Sequence, residues 1–129
     1  MTSFDILPGK VLREAGKNGV DPWADFKGKA EIIDFYKDYS SAEGWLGETR
    51  LAIWSREEVH EFRVANDGTY DPKYWFFGSD GCGTQFGLFV DETGEAVYVG
   101  APDIGENEDI VVLGSWADFF SRIQAANYI

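Results

Sequence analysis

Reactive side chains are scarce in this sequence, apart from carboxylates. There is one histidine, His60, and one cysteine, Cys82. A Ser-His-Asp or Cys-His arrangement would therefore have to use His60 together with a serine or Cys82. On a helix that begins at Arg56, His60 follows Val59 and falls at the edge of the buried face, which suits a boundary position better than a catalytic base. Cys82 lies in a glycine-rich turn with no cation beside it in sequence to activate it. Gly78-Ser79-Asp80-Gly81-Cys82-Gly83 has the glycine content of a phosphate cradle, but no Gly-Lys-Ser/Thr follows. The next element reads as a strand, so no helix N-terminus is present to hold an anion. Asp103, Glu106, Glu108 and Asp109 offer oxygen ligands, yet their spacing is not that of the twelve-residue calcium loop. A transition metal usually needs more than one histidine and one cysteine. No metal and no cofactor are expected. Some close pair of carboxylates is inevitable among so many acids, which makes any chosen pair uninformative about acid–base catalysis. The residues favour a binding module over an enzyme.

The charge balance points the same way. The chain has 129 residues and a formal charge of −12. Residues 1–30 hold five basic and four acidic side chains, whereas residues 31–129 hold six basic and nineteen acidic, a body of −13. Such a field opposes contact with phosphate backbones, so no nucleic-acid partner is expected. It would steer a basic protein toward the body, or simply keep a small protein soluble. No apolar run approaches the length of a membrane span, and Met1-Thr2-Ser3-Phe4-Asp5 lacks the basic and apolar regions of a signal peptide. A cytoplasmic protein with no membrane partner is expected, and a lone cysteine fits that compartment.

The elements that position these residues centre on the stretch from Lys73 to Asp91. Tyr74–Phe77 and Phe86–Val90 are the densest β-favouring runs, and the glycine-rich segment between them predicts a hairpin. Alternation puts Tyr74 with Phe76 on one face and Trp75 with Phe77 on the other, and leaves Gln85 and Gly87 nearer to solvent. Upstream, residues 1–20 read as an irregular arm with one turn of helix around Val11–Ala15. Asp21-Pro22 starts a helix that runs on through Trp23, Phe26, Ala30, Ile33 and Tyr39, open to interruption at Gly28, and Ser40–Gly44 reads as a loop. Glu48–Trp54 is a strand. Ser55-Arg56-Glu57-Glu58 matches a capping box that opens a helix to about Asn66. After the hairpin, Asp91-Glu92-Thr93-Gly94 is a turn, Ala96–Gly100 and Ile110–Leu113 are strands, and Ser115-Trp116-Ala117-Asp118 repeats the capping pattern. The fold class predicted is α+β: a single domain, residues 1–129, with a mostly antiparallel sheet of four to six strands and helices packed around it.

The order of these motifs resembles the SUKH superfamily, bacterial immunity proteins related to a yeast regulator of cell-wall synthesis. The matching segments are Glu43–Gly47, Leu51–Val59 with Trp54, Phe77–Gly81 with Gly78, Asp80 and Gly81, Phe86–Asp91, Ala96–Val99, and Leu113–Phe120 with Trp116. Together they span roughly Ile32 to Ile123. Two features depart from the family pattern: Leu7-Pro8 lies far upstream of the first helix, and Ser40-Ser41 stands where Asn-Gly is usual. The resemblance implies no catalytic residues. It implies binding to a cognate toxin, often a nuclease or other nucleic-acid-modifying enzyme.

With the acidic body, this gives the expectation of an immunity-type protein, monomer or weak homodimer, that neutralises a basic toxin domain. Its binding surface is expected among Asp91, Glu92, Glu95, Asp103, Glu106, Glu108 and Asp109. The alternatives are a regulatory interaction scaffold and a carboxylate-based hydrolase.

Overall fold

The glycine-rich turn and its two aromatic strands form the expected hairpin at the middle of the sheet. The computed structural model describes residues 11–14, 22–26, 28–102, 109–126 and 128. The strands are β1 (Val11–Glu14), β2 (Tyr39–Leu46), β3 (Thr49–Ile53), β4 (Trp75–Ser79), β5 (Thr84–Val90), β6 (Ala96–Pro102) and β7 (Val111–Gly114). They pair in sequence order, each antiparallel to the next. A 3-10 helix (Pro22–Asp25) and the helices α1 (Glu31–Asp38), α2 (Arg56–Ala65) and α3 (Trp116–Gln124) complete a small α+β domain. No helix among the described residues is long and apolar enough to cross a membrane.

The side-chain alternation of β4 divides the interior. Phe77 joins Phe86, Leu88 and Tyr98 in the main core, with Ile32 and Phe35 of α1 and Phe119 and Ile123 of α3. Phe76 faces the other way, into a smaller cluster with Tyr70 and Ala101, against which Tyr74 and Phe62 pack. Helix α2 serves both: Val59 is buried in the main core, and Phe62 reaches the smaller one. Both capping boxes form. Ser55 Oγ accepts the Glu58 amide while Glu58 accepts the Ser55 amide, and Ser115 and Asp118 do the same for α3.

Four local expectations are corrected. The helical turn at Val11–Ala15 is instead β1, because Val11–Glu14 completes the edge of β2, whose pairing supplies the backbone partners. The long first helix is broken. Gly28 adopts φ +135, and a Cβ there would stand 2.9 Å from Val90 Cγ2, so the chain turns between the 3-10 helix and α1. The loop at Ser40–Gly44 is the body of β2, held between β1 and β3, where ladder pairing overrides weak strand propensity. Gln85 and Gly87 are buried rather than solvent-facing. The Phe76 ring covers Gly87, whose Cβ would meet it at 2.9 Å. Strands β3 to β7 are those expected from the sequence, and β1 and β2 bring the sheet to seven.

Candidate functional site

The described acidic residues of the expected binding surface, Asp91, Glu92, Glu95 and Asp109, occupy opposite ends of the sheet. Asp91, Glu92 and Glu95 form the β5–β6 turn, where Val90 pairs with Ala96. Asp109 lies beyond the far end of β6, and Asp103, Glu106 and Glu108 lie outside the described residues. Seven residues of strand separate the two ends, about 23 Å at the usual rise per residue. The turn and Asp109 are therefore two sites rather than one.

Within the turn the three acids differ in role. Asp91 Oδ1 accepts the Thr93 hydroxyl at 2.6 Å, the Thr93 amide at 2.9 Å and the Glu95 amide at 3.0 Å. The Thr93 hydroxyl, followed by the Glu95 amide, holds the Asp91 carboxyl below the usual aspartate range. Asp91 thus organises the turn, and Glu92 and Glu95 are exposed. Because the folded state favours the ionised form, this contribution is present above the ordinary aspartate pKa and is lost as pH falls through the lowered one. In an acid titration followed by NMR, the Thr93 and Glu95 amides are expected to shift together with the Asp91 carboxyl carbon, below the range where free aspartate titrates. Independent titration would refute the assignment.

The glycine-rich turn is closed around one of its own carboxylates. Asp80 Oδ1 accepts the Cys82 amide at 2.7 Å and the Thr84 amide at 3.1 Å, so the protein's own carboxylate occupies the donors that an anion would need. Tyr128 donates its hydroxyl to Asp80 Oδ2 at 2.7 Å, and burial together with that carboxylate pushes the phenol up to about 12. Gly81 takes φ +74 as a turn glycine. Gly78 is needed for close approach instead: a Cβ there would stand 2.4 Å from the Ala52 carbonyl oxygen. Trp54 and Trp116 are scaffold. The Trp54 amide donates to Phe77 O at 2.8 Å, its carbonyl accepts the Tyr36 hydroxyl, and its ring lies 5.0 Å from Phe62. Trp116 is buried against Phe119 and Phe120.

Sequence reading missed a concave feature of the surface, an open groove of about 680 Å³. One wall is the second half of α2, with His60, Arg63 and Val64. The other is the connection through Asp67 and Asp71 to Tyr74, Trp75 and Phe76 at the start of β4. Trp75 is the pivot of that wall. Trp23 stacks on its ring at 5.3 Å, and the Arg63 guanidinium lies 3.8 Å from its centroid. Arg63 Nη1 also donates to the Tyr74 carbonyl at 3.2 Å. The Tyr70 hydroxyl is engaged with Pro102 O at 3.0 Å, and Asp71 Oδ1 accepts the Lys73 amide at 2.9 Å.

His60 is exposed at the groove, while Cys82 is not among its lining residues. Among the described residues no group of three or more His, Cys, Asp or Glu is placed to hold a metal. One sequence signal could have pointed to Val64 on this wall. Glu57, Glu61 and Val64 recur at helical spacing on the outward side of α2, and a valine in that acidic stripe serves neither core nor solubility. Compared with protein-family models, curated proteins and solved structures, the chain matches none.

Proposed function

We propose that the protein is a cytoplasmic binding protein of immunity type, which neutralises a cognate bacterial toxin domain with a basic active groove, a nuclease or other nucleic-acid-modifying enzyme. The observation that carries the proposal is the concentration of acid in the folded body, −13 over residues 31–129. A field of this sign accelerates encounter with a basic protein and disfavours nucleic acid itself. The motif order shared with the SUKH superfamily supports the same reading. A carboxylate hydrolase would draw on Asp67 and Asp71, which both line the groove. Both are exposed, however, and a proton-donating carboxyl at neutral pH needs an apolar enclosure.

The test is binding to the toxin domain encoded beside this protein, with charge reversal of two sets of acids in turn. Glu92→Lys with Glu95→Lys is expected to slow association about tenfold at low salt, with the effect shrinking as salt rises. Reversal at Glu106, Glu108 and Asp109 is the second arm of the test. If neither set changes the association rate, the acidic-surface reading fails. If no complex forms at all, the immunity reading fails with it.

A further inference from the structure

We propose that the segment after α3 is a latch on the glycine-rich turn: Tyr128 docked on Asp80 holds the turn closed, and its release opens the turn and uncovers Phe86. This device is independent of the binding function proposed above.

One carboxylate makes the connection. Asp80 is 5% exposed, and its two oxygens serve two distant parts of the chain. Oδ1 accepts the Cys82 and Thr84 amides of the turn, while Oδ2 accepts the Tyr128 hydroxyl at 2.7 Å. The side chain of Thr49, at the start of β3, hydrogen-bonds the same phenol. The Tyr128 ring stands edge-on to the ring of Phe86 at 5.3 Å, and Phe86 is fully buried. Undocking removes the phenol from a buried charged acceptor. An acceptor that loses its donor in such a site is stabilised by turning toward water, and Asp80 can do so only by leaving the turn amides. Docking of Tyr128 and closure of the turn are linked through that residue.

The hinge of the latch is strained. The end of α3 is seated closely on the β2–β3 turn, where a Cβ at Gly47 would stand 2.6 Å from the Gln124 carbonyl oxygen. Two residues on, Ala126 has φ +54, and it is the one non-glycine residue with positive φ among the described residues. Glycine is usual at this position after a helix cap, because a Cβ crowds the left-handed backbone. The Ala126 amide donates to the Ile123 carbonyl at 2.9 Å, which holds the conformation. A seated helix end on one side and a docked ring on the other leave the strain between them, the arrangement found in segments that switch. Tyr128 is itself only half-buried, so its departure exposes less apolar surface than loss of a core ring would. A partner that prefers the released form would open the turn, and by the same linkage an open turn would bind that partner more tightly.

Hydrogen exchange of the full chain, read by NMR at low urea concentrations, tests the latch. The Cys82 and Thr84 amides are expected to exchange together, roughly tenfold or more faster than the slowest amides of β6 and without dependence on urea, as a local opening does. Tyr128→Phe keeps a ring against Phe86 and removes the hydroxyl. It should speed both amides about tenfold, the effect of losing one hydrogen bond to a charged group. Ala126→Gly relieves the left-handed strain and should slow both about threefold. A turn that exchanges only together with the β6 core, and with the same urea dependence, opens with the whole domain and carries no latch. Exchange at Cys82 and Thr84 that is unchanged in Tyr128→Phe, or unchanged or faster in Ala126→Gly, would likewise overturn the proposal.

Discussion

Gly78→Ala is expected to destabilise the domain by about 3 kcal/mol or more, several times the cost of the same change at Gly81. The two glycines flank one turn and fail for different reasons. At Gly81 the backbone is left-handed, φ +74, and nothing lies within 4 Å of a built Cβ. Alanine there meets only conformational strain, about 1 kcal/mol. At Gly78 the φ is ordinary, but the new methyl would stand 2.4 Å from the Ala52 carbonyl oxygen. That neighbour is backbone and cannot rotate away. It also belongs to a short seam of the sheet, where β3 and β4 pair through Ala52 with Ser79 and Ile53 with Gly78, and the Trp54 amide adds a bond to Phe77 O. Forcing the strands apart there separates β1–β3 from β4–β7. Urea unfolding of both variants checks the ranking, and a Gly81→Ala cost equal to that of Gly78→Ala would refute it.

The contrast between these glycines also shows what the sequence made legible. Local chemistry could be read directly. Ser55 and Ser115 announced their helices because a capping box is completed within four residues, and Asp80 announced its turn because its acceptor serves amides two and four residues on. The facing of Tyr74 and Phe76 against Trp75 and Phe77 was legible for the same reason, since strand alternation is a property of the chain alone.

What depended on distant partners was not legible. Ser40–Gly44 are loop formers by type, and only the neighbours on both sides make them a strand. Gln85 reads as polar and outward until Ala101 on β6 and the Phe76 cluster enclose that face. Its Oε1 is buried with no hydrogen-bond partner among the described residues. The acids at Asp91–Glu95 and at Asp109 looked like one surface because they are close in sequence. An intervening strand carries the chain across the sheet and sets them apart. The groove was invisible for the converse reason: Pro22, Val64, Asp71 and Trp75 span more than fifty positions and meet only in the fold.

Phe119→Ala should cost the most of any single side-chain truncation in the main core, roughly 3–5 kcal/mol. Phe119 is fully buried on α3 at the centre of an aromatic cluster that joins helix to sheet. Its ring lies 5.8 Å from Phe77 on β4, 5.4 Å from Phe86 on β5 and 5.5 Å from Tyr98 on β6. Trp116 and Phe120 complete the shell from its own helix at 5.8 and 5.3 Å. The rings around it are held by other contacts and cannot collapse into the space. Tyr98 is pinned by its hydrogen bond to Glu31 at 3.0 Å, and Trp116 by its place in the first turn of α3 after the Ser115 cap. The truncation therefore loses both the transfer free energy of the ring and the contacts around the void. For a domain of this size, whose whole stability is on the order of 5–15 kcal/mol, the variant approaches the limit of folding. Phe119→Leu keeps most of the volume and should cost about 1 kcal/mol. Guanidinium unfolding followed by tryptophan fluorescence distinguishes the outcomes. Should Phe119→Ala unfold at nearly the wild-type midpoint, α3 would not be the lid of this core, and the partition of the interior by β4 would have to be redrawn.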